Sequence, residues 1–95
     1  MLTKKDVLEI LKELMINHDH GRLDIKYSDI NLHSTLMADL GFDSMDIAEL
    51  SMNIESKLKI RIEDDEVENI LMKTNVEELM EFVFSRYKET KEQEV

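Results

Sequence analysis

Apolar residues near the N-terminus recur at the three- and four-residue spacing of one helix face: Val7, Leu8, Ile10, Leu11, Leu14 and Met15. Thr3 precedes them as an N-cap residue. Asp6, three positions on, is a short stand-in for the glutamate of a capping box, so a first helix is predicted over residues 4–17. It stops near residues 17–21, where Gly21 can take the left-handed conformation. Residues 22–43 show no sustained period and contain the turn formers Ser28, Asp29, Asn31 and Gly41. Leu32, Leu36 and Leu40 are expected to fold this long connection onto the core, with one helical turn over 36–40. A second helix begins at Asp43 or Ser44 and runs to Leu58. Ile60 and Ile62 alternate as a strand would, but a lone short strand has nothing to pair with. A brief helix over 64–70 carries Val67 and Ile70. The last helix has the clearest start, Asn75 as N-cap with Glu78 at the third helical position, then Val76, Leu79, Met80, Phe82, Val83 and Tyr87. From Lys88 onward the chain is polar without period and is expected to fray. The pattern predicts an all-α four-helix bundle with three longer helices, one short third helix and a long loop between the first two. One domain over residues 1–88 and a polar tail over 89–95 follow.

The second helix carries two stripes. Ile47, Leu50, Ser51, Ile54 and Leu58 share one face and should meet the core. Met45, Ala48, Glu49, Met52 and Glu55 share another. That outer stripe is either a solvated face with two incidental methionines or a docking face. Methionine packs adaptably against varied surfaces, and glutamates orient an encounter.

Charge sharpens the second possibility. The 95 residues include 22 acidic and 12 basic side chains, for a formal net charge of −10. Residues 39–68 hold 10 acids and 3 bases, so a net −7 lies on the segment containing the second helix. Such a field attracts basic partner surfaces and disfavours nucleic acid, whose phosphates need clustered Lys and Arg. There is no cysteine, which excludes a disulfide framework and fits a reducing compartment. No apolar run approaches the ~20 residues of a membrane span, and the N-terminus lacks a signal-peptide core. A cytoplasmic protein is expected.

Candidate chemistry is sparse. His18-Asp19-His20 places two histidines two positions apart, which do not share a helix face, so no metal site is expected. The acidic run over 63–66 lacks the spacing of a calcium loop. Phe82, Phe84 and Tyr87 read as helix packing. Ser44 stands where the second helix begins. It is either an N-cap, accepting a hydrogen bond from the N–H of Asp46 or Ile47, or a modified residue. Nothing in the sequence relates His18, His20 or His33 to Ser44, so a self-activating nucleophile is not expected; another enzyme would have to activate it.

The octet Asp39-Leu40-Gly41-Phe42-Asp43-Ser44-Met45-Asp46 resembles the modification-site motif of acyl carrier proteins, whose serine carries 4′-phosphopantetheine. The resemblance continues without a gap over residues 44–70, including Glu49-Leu50, Met52, Glu55, Ile62, the cluster Glu63-Asp64-Asp65-Glu66, and Val67. It resumes at Asn75-Val76-Glu77-Glu78-Leu79. Departures are Met45 after the serine, Glu63 where proline is common, polar Ser51 and Asn53, and the basic trio Lys57, Lys59 and Arg61.

The resemblance implies a carrier and not an enzyme. Ser44 would receive phosphopantetheine from coenzyme A through a phosphopantetheinyl transferase, with Asp43 helping to hold the Mg²⁺ used in that step. Acyl groups would then ride on the arm's thiol as thioesters. Partners would be the transferase and acyl transferase, ketosynthase or related enzymes with basic surfaces, met through Met45, Glu49, Met52, Glu55 and Ile62 by a monomeric carrier. Fatty acid or polyketide-type synthesis is the expected setting. The other readings are a D-alanyl or aminoacyl carrier, and a plain acidic helical adaptor with Ser44 only a cap.

Overall fold

In the computed structural model, residues 1–19 and 25–93 are described, and among them the only regular elements are helices. Four α-helices run Lys4–Asp19 (α1), Ser44–Leu58 (α2), Asp64–Asn69 (α3) and Val76–Gln93 (α4), with 3₁₀ turns at Tyr27–Asp29 and Leu71–Lys73. The fold is the all-α bundle that the apolar spacing predicts.

Each long helix starts where its cap residue stands. The Thr3 hydroxyl accepts the Asp6 N–H at 3.2 Å, while the Asp6 carboxylate accepts the Thr3 N–H at 2.9 Å. The Thr3 N–H, and the Thr3 hydroxyl donating to the same carboxylate at 3.0 Å, hold the Asp6 carboxyl below the ordinary aspartate value. At α4 the Asn75 side chain accepts the Glu78 N–H at 2.8 Å. Such caps satisfy amide groups that have no acceptor inside the helix.

The core is aliphatic. Val7, Leu11 and Met15 of α1 meet Ile47, Leu50 and Ile54 of α2 and Val76, Leu79 and Val83 of α4, all essentially removed from solvent. Burying each such side chain is worth ~1.5–3 kcal/mol, which makes this cluster the main source of stability. Ser51 lies in the same stripe, and its hydroxyl donates to the Ala48 carbonyl at 2.7 Å, so a polar group is buried without an open bond.

The long connection is tied down by backbone hydrogen bonds. Leu36 N–H donates to the Thr74 carbonyl, Val76 N–H to Ser34, and Glu77 N–H to Leu32. A single antiparallel bridge pairs Thr35 with Asn75. The expected turn over 36–40 is present, with Asp39 N–H bonded to the Thr35 carbonyl and Gly41 N–H to Met37. Gly41, at φ 81°, then reverses the chain so that Phe42 enters the core just before α2. Ile30, Leu36 and Leu40 are buried, while Leu32 is half-buried.

Several expectations shift. α1 extends to Asp19, two residues beyond its predicted end, and Gly21 lies outside the described residues. Ile70 is 40% exposed and belongs to the surface, because α3 ends at Asn69 and its buried contact is Val67 alone. α4 stays helical through Gln93, past the point where fraying was expected. Tyr87 anchors that last stretch: its hydroxyl accepts the Leu2 N–H at 3.1 Å, and Lys91 lies 5.7 Å from the centre of its ring.

Arg86, unmarked in the sequence pattern, braces the far side of the bundle. Its guanidinium donates to both Glu66 oxygens, at 3.0 and 2.6 Å, and to the Arg61 carbonyl at 2.6 Å. The forked contact lowers the Glu66 carboxyl and raises the Arg86 guanidinium from their ordinary values. One side chain of α4 thereby fixes α3 and the loop before it.

Candidate functional site

The first turn of α2 is organised by two aspartates. The Asp43 carboxylate accepts the Asp46 N–H at 2.8 Å, and the Asp46 carboxylate accepts the Asp43 N–H at 3.0 Å. This reciprocal capping box makes Asp43 the N-cap, with extended backbone at φ −91° and ψ −179°. The alternative in which Ser44 itself caps the helix is therefore set aside: Ser44 is the first helical residue, because the longer carboxylate one position earlier already reaches the third helical amide. An adaptor in which Ser44 serves only as that cap loses its premise.

Freed from capping, Ser44 is exposed, and its hydroxyl has no hydrogen-bond partner among the described residues. The N–H groups of Ser44 and Met45 sit in the first turn, where a helix has no internal acceptors for them. An anion esterified to Ser44 would meet these donors and the positive end of the helix dipole. Asp43 and Asp46 oppose it by charge repulsion, but each already accepts an amide hydrogen bond. The site therefore fits a covalently attached phosphodiester on a solvent-facing oxygen.

Down the outer face of α2, Met45 is 71% and Met52 58% exposed, large values for apolar side chains. Glu49 is exposed between them, and Ala48 and Glu55 are half-buried. Glu55 also has an internal role, since its carboxylate accepts the Ile62 N–H at 3.2 Å. Ile62, expected on this outer surface, is only 5% exposed and packs into the core, because the loop holding Glu55 turns it inward. It lines a groove of ≈ 310 Å³ between α2 and α3, together with Ser51, Met52, Glu55, Val67 and Met72.

The basic trio lies at the opposite end of α2, with all three residues exposed. Arg61 pairs with Glu63 at 2.7 Å, but both side chains are largely solvated, so the pair contributes little. Lys59 holds the left-handed conformation at φ 57° that ends the helix.

His18 is the residue whose place the sequence does not reveal. Its ring comes from the last turn of α1 and lies with Nε2 3.0 Å from Asp46 Oδ1 and Nδ1 3.6 Å from Glu49 Oε2. The edge of Phe42 meets it at a ring-centre distance of 6.0 Å and an interplanar angle of 88°. His18 continues the buried stripe of Val7, Leu11 and Met15 by one more turn, and that continuation was the available signal. His20 lies outside the described residues, and His33 is exposed in the loop. Among the described residues, no three His, Asp or Glu side chains converge as a metal site.

Comparison with known proteins agrees with this geometry. The family described as "Phosphopantetheine attachment site" matches residues 21–83. The acyl carrier protein of Exiguobacterium sibiricum is 36% identical over 69 residues, covering 73% of this chain and 82% of that protein. That of Clostridium perfringens is 38% identical over 58 residues, covering 61% and 71%. That of Petrotoga mobilis is 29% identical over 79 residues, covering 83% and 88%. A helical bundle of this shape, matched over this length, defines a phosphopantetheine-binding carrier domain. The chain belongs to the acyl carrier protein family. The family's cofactor, 4′-phosphopantetheine, is attached covalently and supplies the thiol that a chain without cysteine lacks.

Proposed function

We propose that Ser44 bears 4′-phosphopantetheine and that the protein shuttles thioester-bound acyl intermediates between enzymes of fatty acid or polyketide-type biosynthesis, catalysing none of the steps itself. The observation that carries this reading is the division of labour at the start of α2. Asp43 takes the cap, and Ser44 is left exposed, its hydroxyl without a hydrogen-bond partner among the described residues, beside the first-turn amides of α2. In the loading step the Ser44 oxygen forms a bond to the phosphorus adjoining the pantetheine of coenzyme A. The pyrophosphate bond breaks, adenosine 3′,5′-bisphosphate leaves, and the hydroxyl proton passes to a base of the transferase. Asp43, the residue before Ser44, would lend its carboxylate to the transferase's hold on Mg²⁺.

Docking falls to Met45, Glu49 and Met52, with Glu55 contributing from the groove edge. Their mixture of adaptable apolar surface and negative charge suits brief encounters with basic partners, where rapid association and release matter more than affinity. Ile62 contributes from beneath by supporting Met52 and Glu55 at the groove. The same reading places the carrier in the cytoplasm as a monomer, with its carrier domain over residues 1–88. Among the described residues, no helix is long and apolar enough to cross a membrane.

The test is to incubate the folded protein with coenzyme A, Mg²⁺ and a broad-specificity phosphopantetheinyl transferase and weigh it. One phosphopantetheine adduct on the wild type and none on Ser44→Ala supports the reading; an unmodified, folded wild type would refute it. Supplying D-alanine with its activating ligase, in parallel with malonyl and fatty acyl donors, separates an aminoacyl carrier from an acyl carrier.

A further inference from the structure

The junction of α1 with the attachment site holds a group that neither the family motif nor the sequence pattern marks. His18 is only 9% exposed at its side chain, and Asp46, opposite it, only 13%. Within this shielded contact a hydrogen bond is stronger than one at the surface, and an unpaired partner costs more. With a carboxylate at 3.0 Å, Nε2 carries the proton and donates. The other oxygen of Asp46 accepts the Asp43 N–H, so one carboxylate ties the imidazole to the capping box that flanks Ser44. The second ring nitrogen faces Glu49 at 3.6 Å, too long for a hydrogen bond as it stands. Phe42, the third neighbour, stands nearly perpendicular to the ring and itself lies two residues before Ser44.

We infer that His18 is a positioning residue of the attachment site: through Asp46 it fixes the first turn of α2 for the transferase. This inference rests on Ser44 being the attachment point. The charged groups facing the ring among the described residues are Asp46 and Glu49, both of α2. The Nε2 bond to Asp46 leaves Glu49 on the exposed face of α2.

Two variants test the placement. His18→Gln retains an N–H donor for Asp46, whereas His18→Leu does not. Transferase kinetics with coenzyme A and Mg²⁺ are measured for each and for the wild type. His18→Leu is expected to raise KM for the carrier about fivefold, the net effect of one hydrogen bond, with kcat nearly unchanged. His18→Gln restores the wild-type KM. Equal KM values for all three would overturn the inference while leaving Ser44's role intact.

An unmodified wild type would count against Ser44 instead. In that event amide hydrogen exchange of the unmodified protein decides the matter. The amides of Asp43 and Asp46 should exchange faster in His18→Leu than in the wild type and His18→Gln, and equal rates refute the inference. If His18→Leu fails to fold, His18→Ala takes its place in both measurements.

Discussion

At its N-terminal end α2 is held by side chains: Asp43 and Asp46 exchange hydrogen bonds, and His18 braces Asp46 from α1. At its C-terminal end the same helix is held by backbone and by a distant arginine. Lys59 turns left-handed, Glu55 receives the Ile62 amide, and Arg86 clamps Glu66 and the Arg61 carbonyl. The first end uses short polar side chains and leaves Ser44 and its neighbours open to solvent. The second packs Ile60 and Ile62 inward and leaves the basic Lys57, Lys59 and Arg61 outside. One helix therefore has an end built to be presented and an end built to be anchored, and the two should respond differently to mutation.

The largest difference is expected from the anchor. Arg86→Met leaves Glu66 without its forked partner and is predicted to cost about 2–3 kcal/mol in urea unfolding, with little change in Ser44 loading. Because the folded-state Glu66 value is lowered, this stabilisation is present above the ordinary glutamate value of 4.5 and is lost as pH falls through the lower folded one. The gap between wild type and Arg86→Met should therefore close in acid; a gap that persists there would point to packing in place of the ion pair.

At the presented end, Asp43→Ala is expected to cost about 1 kcal/mol of stability and also to slow loading of Ser44. Loading at the wild-type rate would separate the cap from the site. A smaller effect of opposite sign is expected at Lys59. Glycine there removes a left-handed strain at some cost in chain entropy, so Lys59→Gly should raise stability by about 0.5 kcal/mol. Glu49→Lys should change stability least, within about 0.5 kcal/mol, yet slow transfer with a marked dependence on salt. An unchanged, salt-insensitive rate would remove Glu49 from the docking face.

What could be read from the chain follows the range of the forces involved. The inward stripe Ile47, Leu50, Ser51, Ile54 and Leu58 is buried as its spacing predicts, and Asn75 caps α4, because both are local patterns. His18 with Asp46 and Arg86 with Glu66 join residues 28 and 20 positions apart, so no local period announces them. Ile62 and Ile70 exchanged their expected places for the same reason. Which of two isoleucines around a six-residue helix is buried depends on where Arg86 and Glu55 hold that helix. The long loop shows no sustained period because much of its order comes from amide bonds to Thr74 and from the carbonyls of Leu32 and Ser34 across the bundle. The candidate attachment serine was legible from its motif, but the identity of its cap was not. Aspartate and serine are near-equal N-caps in isolation, and only the reciprocal bond with Asp46 decides between them.

The central claim is a covalent bond at one oxygen, so the most direct measurement locates that bond. After loading with coenzyme A and transferase, trypsin releases residues 27–57, which contain Ser28, Ser34, Ser44, Ser51 and Ser56. Fragmentation of this peptide should place a single phosphopantetheine on Ser44. A modification on any of the other four serines, or none on the folded protein, would contradict the account.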